Sequence, residues 1–153
     1  MDKFEHLISR AEGLIDKLER LLPADIAPVN WQAHAWRWVS VGSKGQLHAI
    51  THPHQVAVND IQFVDTQKVK IVQNTQQFLK DLPANNVLLT GARGTGKSSL
   101  IKALLTAYAK DGLRLIEVEK HDLIHLPQIV ELIRNRPEKF IIFCDDLTFE
   151  AND

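Results

Sequence analysis

The residues with the clearest chemical potential lie in one short stretch, GARGTGKSSL, at positions 91–100. Gly91, Gly96, Lys97 and Ser98 match the spacing G-x-x-x-x-G-K-[ST]. Glycines let the backbone curl so that successive N–H groups point at phosphate oxygens, and a helix that begins there adds the positive end of its dipole. The stretch therefore predicts a loop that binds the phosphates of a nucleotide.

Two side chains of this loop have distinct predicted roles. The ammonium of Lys97 is expected to contact β- and γ-phosphate oxygens, and the hydroxyl of Ser98 is expected to ligate Mg²⁺. The whole loop is expected to bind the nucleotide, largely through its backbone, and it comprises Gly91, Ala92, Arg93, Gly94, Thr95, Gly96, Lys97, Ser98 and Ser99.

A second group of candidate residues follows the apolar run in KFIIFCDD. The apolar residues predict a buried strand whose acidic residues emerge at its end. Asp145 is predicted to hold Mg²⁺, and Asp146 to orient or activate the attacking water. Together with Lys97 these are the predicted catalytic residues. Glu150 is a weaker candidate for supporting Asp146, and Cys144 is expected to be an inert buried residue because no histidine partner is evident beside it.

Helices alternate with strands around both groups, which predicts an α/β fold with parallel strands joined by right-handed crossovers. Helical spacing runs through residues 69–82, 100–108 and 126–135, with Gly112 expected to end the second of these helices. Apolar runs at 87–89, 113–118 and 140–143 are predicted strands. These elements lie within a predicted nucleotide-binding unit at 59–153.

The preceding residues, 1–58, are predicted to form a helix and a hairpin-containing region. Apolar residues recur at three- and four-residue steps from about Asp2 to Leu22, and Pro23 ends the pattern. Such a helix either packs on its own domain or binds a partner, and the sequence leaves both open. WRWVSV and QLHAI flank GSKG, a pattern typical of a short hairpin.

Two further patterns have alternative interpretations. Trp31, Trp36 and Trp38 lie near Arg37 and Lys44, an arrangement that can stack on single-stranded bases, although buried aromatic residues are the favoured interpretation. The HPH sequence at 52–54 could suggest a metal site, but no second ligand cluster with zinc spacing accompanies it, and a turn is favoured.

The composition limits the class of protein. A formal net charge of -1 provides no overall attraction to nucleic acid or to an anionic membrane, so neither partner is expected. The chain has a single cysteine and neither a signal segment nor an apolar run long enough to span a membrane. A cytoplasmic location is therefore expected.

The stretches QNTQQFLKDLPANNVLLTGARGTGKSSLIKALL and FCDDLTFE resemble AAA+ ATPases, and specifically the bacterial family of predicted AAA+ ATPases known as domain of unknown function 815. The resemblance runs from about Ala35 to Glu150. It implies a three-layer P-loop NTPase sandwich, ATP and Mg²⁺ as ligands, and conformational work driven by ATP hydrolysis in a homo-oligomer. The neighbourhood of residues 61–67 would contribute to an adenine pocket, with Phe63 and Val64 as candidate residues. Ala92 and Arg93 stand where two prolines are usual.

The resemblance also implies that the domain is incomplete. AAA+ sheets have the strand order fifth, first, fourth, third, second, and sensor 1, the arginine finger and the lid would all lie beyond Asp153. An ATPase whose 153-residue chain is slow or inactive alone is the first hypothesis. A nucleotide-binding module without useful hydrolysis is the alternative, and a small-molecule kinase is a third.

Overall fold

A computed structural model describes residues 3–21, 28–41, 44–51, 65–91 and 96–145. They form an α/β structure with a mostly parallel sheet. The helices are α1 (Lys3–Leu21), α2 (Asp65–Leu79), α3 (Lys97–Tyr108) and α4 (Leu126–Ile133); the strands are β1 (Ala35–Val41), β2 (Lys44–Ala49), β3 (Leu113–Glu117) and β4 (Lys139–Phe143). Short 3₁₀ segments at Ala109–Asp111 and Lys120–His125 flank β3.

The sheet has four strands in the order β2-β1-β3-β4. β1 and β2 form the predicted hairpin and are antiparallel, whereas β1 pairs parallel with β3 and β3 pairs parallel with β4. The parallel pairing of the predicted strands at 113–118 and 140–143 is therefore confirmed. The hairpin was not expected to join the same sheet, so the sheet is mixed rather than wholly parallel.

The two faces of the sheet bury different sets of side chains, because successive residues of a strand point to opposite faces. One face packs on α2 and α3 through Ala35, Ile71, Leu100, Ile101, Ala103, Leu104, Leu105, Leu113 and Leu115. The other packs on α4 through Trp36, Trp38, Leu47, Ile116, Val118 and Ile129. Helices therefore cover both faces, an arrangement compatible with the predicted three-layer sandwich.

Trp36 and Trp38 are almost fully buried, so the favoured interpretation of these two aromatic residues is confirmed. Trp36 also donates its indole N–H to the carbonyl oxygen of Asn30 at 3.1 Å. Across the hairpin, Gly45 leaves room for the ring of Trp38, because a Cβ atom at this position would overlap the indole.

The predicted strand at 87–89 is wrong. Residues 83–90 have no regular secondary structure, and Val87 and Leu88 are exposed, although Leu89 packs against the α2–α3 core. A strand persists only where a neighbour satisfies its backbone groups. β4 has β3 on one side, and no described strand lies on its other side.

Other contacts hold this segment beside α2. The side chain of Asn74 donates to the carbonyl oxygen of Asn85 at 2.8 Å and accepts a hydrogen bond from its N–H at 2.9 Å. Asp81, which has a positive φ of 57°, pairs with Lys139 at the start of β4. The segment thus reaches Gly91 as an irregular connection rather than as part of the sheet.

Helix α1 exposes the apolar stripe predicted for it. Its described apolar side chains, from Phe4 to Ile15, are all exposed, so this part of the helix does not pack on its own domain. No helix in the described ranges has the length and apolar character needed to cross a membrane.

Candidate functional site

The predicted phosphate loop leads into a helix where the sequence places one. Gly91 and Gly96 have φ angles of 143° and 84°, values that residues with side chains rarely adopt. α3 begins at Lys97, directly after Gly96, and the N–H of Leu100 donates to the carbonyl oxygen of Gly96 at 2.8 Å. Both glycines thus have backbone conformations that favour glycine, and Gly96 has its own directly before the helix.

The start of α3 is electrostatically suited to an anion. Within the part of the chain that the structure describes, no side chain caps this helix and no acidic residue lies in its first turn. The first N–H groups of a helix have no intrahelical partner, and together with the dipole they attract negative charge.

The side chain of Lys97 contacts the backbone of Gly91, six residues earlier in the chain. Its ammonium donates to the carbonyl oxygen of Gly91 at 2.9 Å. The positive charge therefore lies over the start of the loop, at the end of the helix where the backbone N–H groups point outward.

The most informative contact joins the two predicted groups of site residues. The hydroxyl of Ser98 donates to a carboxylate oxygen of Asp145 at 2.5 Å, across 47 positions of sequence. Asp145 follows β4 after Cys144, and Ser98 is the second residue of α3. The predicted metal-binding pair therefore meets at the carboxyl end of a parallel strand, where α/β proteins place their ligands.

Cys144, between β4 and Asp145, does not have the properties of a reactive thiol. Burial raises its pKa, and the negative charge of Asp145 raises it further. A raised pKa leaves less thiolate at neutral pH, and the thiolate is the nucleophile. This direction agrees with the expectation of an inert residue.

A neighbouring ion cluster was not singled out from the sequence. Glu117, the last residue of β3, lies opposite Phe143 of β4. Its carboxylate is 3.0 Å from Arg37 and 3.8 Å from Lys102, which is one helical turn beyond Ser98. The only sequence signal for this cluster was Glu117, an acidic residue near the end of the apolar run at 113–118. A similar signal identified Asp145.

A second polar cluster lies beyond the end of β3. Asp122 is buried, accepts a hydrogen bond from the hydroxyl of Ser40, and lies 3.4 Å from His125 and 3.6 Å from His121. His121, Asp122 and His125 are close together in sequence, but Ser40 lies 82 positions before Asp122, and no sequence pattern indicated their contact. Nowhere in the described ranges do three or more His, Cys, Asp or Glu residues converge as a metal site.

Several predicted residues lie outside the described ranges. They are Phe63 and Val64 of the predicted adenine pocket, Ala92, Arg93, Gly94 and Thr95 of the loop, Asp146 and Glu150 after β4, and the HPH sequence at 52–54. Their predicted roles stay predictions. Gly91, Gly96, Lys97, Ser98, Ser99 and Asp145 are described, and they define the candidate site.

The fold and this site define an α/β protein with a mostly parallel sheet and a glycine-flanked loop before its third helix. The family described as protein of unknown function (DUF815) matches residues 31–153, and the chain belongs to this family. The resemblance to this family is thereby confirmed, and membership of the AAA+ superfamily stays a prediction. No curated protein and no solved structure matches the chain.

Proposed function

We propose that the chain binds ATP with Mg²⁺ through a P-loop of the AAA+ type and, in an active assembly, hydrolyses it to drive conformational work. The observation that carries the proposal is the hydrogen bond from Ser98 to Asp145, since it joins the two residues predicted from the sequence as magnesium ligands. Lys97 adjoins Ser98 at the same helix end, so a cation and both oxygen donors lie at one site.

The donor set fits the metal. A hydroxyl and a carboxylate are hard oxygen ligands, and Mg²⁺ is usually held by one or two such groups together with nucleotide phosphates and water. A magnesium site in which only Ser98 and Asp145 are protein ligands is therefore consistent with the usual coordination of this ion. When bound, the ion would neutralise charge on the phosphate oxygens.

The residues of the chain would then bind and orient the nucleotide. The N–H groups at the start of α3 would donate to phosphate oxygens, and Lys97 would place its positive charge beside them. Ser98 and Asp145 would hold the metal between α3 and the end of β4. Glycine suits position 96 because a side chain there would strain the backbone at a φ of 84°.

Adenine is the preferred base of this proposal. A guanine-nucleotide protein would be expected to carry Asp-x-x-Gly after β4 and an Asn-Lys-x-Asp sequence. Here Thr148 follows Asp145 at the third position, where that pattern requires glycine.

Hydrolysis depends on Asp146, which is proposed to orient the attacking water. ATP affinity and turnover would be measured for the unmodified chain, for Lys97→Ala and for Asp146→Asn. An enzyme should keep its affinity and lose turnover in Asp146→Asn, because this change preserves size and removes the negative charge. A binding module would have no turnover to lose, and a kinase would transfer phosphate to an added acceptor rather than to water.

The magnitude of turnover is also informative. An arginine finger raises the rate of hydrolysis about 10³- to 10⁵-fold. If a partner provides this residue, hydrolysis by the chain alone is expected to be slow. Rapid turnover without a partner would contradict the proposed AAA+ mechanism, whereas tight binding with slow turnover would support it.

A further inference from the structure

Two acidic residues lie at the carboxyl ends of neighbouring parallel strands. Glu117 is the last residue of β3 and lies opposite Phe143 of β4, two residues before Asp145. Leu115 and Phe143 both pack in the core that the sheet forms with α2 and α3. Because side chains two positions apart in a strand share a face, Glu117 is directed to α3 as well. The contact of Asp145 with Ser98 places the second acid on this same face.

α3 presents one side chain to each of these acids. Ser98 hydrogen-bonds to Asp145, and the ammonium of Lys102, one helical turn later, is 3.8 Å from the carboxylate of Glu117. Residues four apart lie on the same side of a helix, and their side chains lean toward its N-terminus. The side chain of Lys102 therefore leans toward the turn of α3 that contacts Asp145.

Glu117 is the more firmly held partner of this lysine. Its carboxylate also accepts a hydrogen bond from the guanidinium of Arg37 at 3.0 Å. The side chain of Glu117 is 18% exposed, whereas that of Lys102 is 34% exposed. A lysine ammonium is carried by a flexible four-carbon stem. The acid, enclosed on more sides, thus determines where the ammonium lies.

We propose that Glu117 is a positioning residue of the nucleotide site, which holds Lys102 and thereby keeps its ammonium away from Asp145. The inference rests on the proposed function, since it requires that Asp145 binds Mg²⁺. The lysine stem spans about one helical turn of 5.4 Å, so without Glu117 the ammonium can turn to Asp145. It would then compete with Mg²⁺, because both cations are attracted by the same negative charge.

A purely structural role for Glu117 is the alternative. Its ion pair with Arg37 joins β3 to β1, and in that role it would hold the hairpin in the sheet. The two roles depend on different cations: the structural role needs Arg37, and the positioning role needs Lys102. Substituting each cation separately therefore distinguishes them.

The first test locates the ammonium of Lys102 without any nucleotide. A carbodiimide joins a lysine directly to a carboxylate that it contacts, and peptide mass spectrometry identifies the pair. The unmodified chain should give a Lys102–Glu117 link. Glu117→Gln, which keeps the size of the side chain, should give a Lys102–Asp145 link instead. A Glu117→Gln chain without that link, or an unmodified chain in which Lys102 already links to Asp145, would overturn the proposal.

The second test measures ATP affinity by titration calorimetry with and without Mg²⁺. Glu117→Gln should lower the affinity with Mg²⁺ about three- to fivefold, the scale of an ion pair at a partly exposed site, and should not lower it without the metal. Lys102→Gln should have little effect alone, but it should restore the affinity of Glu117→Gln with Mg²⁺. Arg37→Gln is the matched control, because it removes the other ion pair of Glu117 and leaves Lys102 in place.

The pattern of affinities separates the outcomes. A loss in Glu117→Gln that Lys102→Gln does not restore, or an equal loss in Arg37→Gln, would assign a structural role to Glu117 and overturn the proposal. If the unmodified chain binds Mg·ATP and Glu117→Gln binds it equally well, the proposal fails and the proposed function stands. No binding by the unmodified chain would contradict the proposed function itself, and with it the role of Asp145 on which this inference rests.

Discussion

The hydroxyl of Ser98 and the carboxylate of Asp145 are 2.5 Å apart, although 47 positions of sequence separate them. The contact exists because α3 starts immediately after the glycine loop and because Asp145 follows β4 almost directly. A loop, a helix end and a strand end thus meet at one point of the molecule. The first prediction concerns what this pair does.

Ser98→Ala is expected to weaken the effect of Mg²⁺ on ATP affinity, because it removes a proposed metal ligand. We expect a loss of about tenfold in affinity with Mg²⁺ and little change without it. The tenfold loss corresponds to about 1.4 kcal/mol, slightly below the range of about 1.5–3 kcal/mol for a hydrogen bond to a charged group. Titration calorimetry with and without the metal measures both values.

Ser99→Ala is the matched control, because the neighbouring serine is proposed to contribute through its backbone alone. It should leave both affinities unchanged. Equal losses in the two variants would assign the Ser98 effect to the helix start rather than to the metal.

Gly45→Ala is expected to lower the free energy of unfolding by about 1–3 kcal/mol, the usual cost of overpacking. The added methyl group would overlap the ring of Trp38, which is buried in the β1–β2 hairpin. Urea unfolding measures the change.

Gly13→Ala provides the comparison, since no atom lies within 4 Å of a Cβ built at Gly13. This change should stabilise α1 through helix propensity alone. A Gly45→Ala protein as stable as the unmodified chain would mean that the indole does not occupy the space over the glycine.

Cys144 should react slowly with iodoacetamide at neutral pH. Burial and the charge of Asp145 raise its pKa above the ordinary value, so the thiolate fraction at a given pH is smaller. The chain has one cysteine, and mass spectrometry of the intact protein follows its modification directly. If the rate of Cys144 alkylation reached its plateau at a pH below the ordinary pKa range of thiols, the pKa of Cys144 would not be raised, and the prediction would be contradicted.

Asp145→Asn should increase the rate of Cys144 alkylation modestly. The substitution removes the charge contribution to the raised pKa and leaves burial, which is the larger cause. An unchanged rate would indicate that the carboxylate does not influence the thiol.

Glu138→Gln should reduce stability at pH 7 by about 0.5–1 kcal/mol. The side chain of Arg136 hydrogen-bonds to Glu138 and lowers its pKa below the ordinary value of 4.5, while Arg136 also stacks on Trp31 at 4.6 Å. A lowered pKa adds stability that is present above the unfolded value and is lost as the pH falls through the folded value. The difference in stability between the variant and the unmodified chain should therefore shrink as the pH falls below the ordinary value of 4.5 and disappear below the lower pKa of the folded state.

Glu131→Gln is the control for this pH dependence, because its ion pair with Arg134 is exposed on both sides. Its effect should stay within about 0.5 kcal/mol. A constant difference between the Glu138→Gln chain and the unmodified chain at all pH values would argue against an ionic origin.

The sequence predicted the elements that carry their own local signals. The repeats in α3 and α4 and the apolar runs of β3 and β4 each indicated the correct structure. Gly112 caps the 3₁₀ segment that follows α3, whereas α3 itself ends at Tyr108 with Ala109 as its C-cap. The meeting of Ser98 with Asp145 followed from the same reasoning, because a strand end and a helix start are local features whose positions a parallel sheet relates.

Features that depend on distant neighbours were not predictable in this way. An apolar run at 87–89 has the composition of a strand, but pairing decides whether a strand forms, and composition carries no information on pairing. The addition of β1 to β3 and the contact of Glu117 with Arg37 likewise depend on how the hairpin docks. No local spacing encodes that docking.

The most direct test of the proposed function is the binding of Mg·ATP, measured by titration calorimetry on folded full-length chain and on Lys97→Ala. The unmodified chain should release or absorb heat with a saturable isotherm, and Lys97→Ala should bind at least about tenfold more weakly, since it loses the ammonium proposed to contact the phosphates. Absence of any binding heat from folded unmodified chain at several temperatures, or equal affinity in the two proteins, would contradict a phosphate-binding loop at Gly91–Ser98.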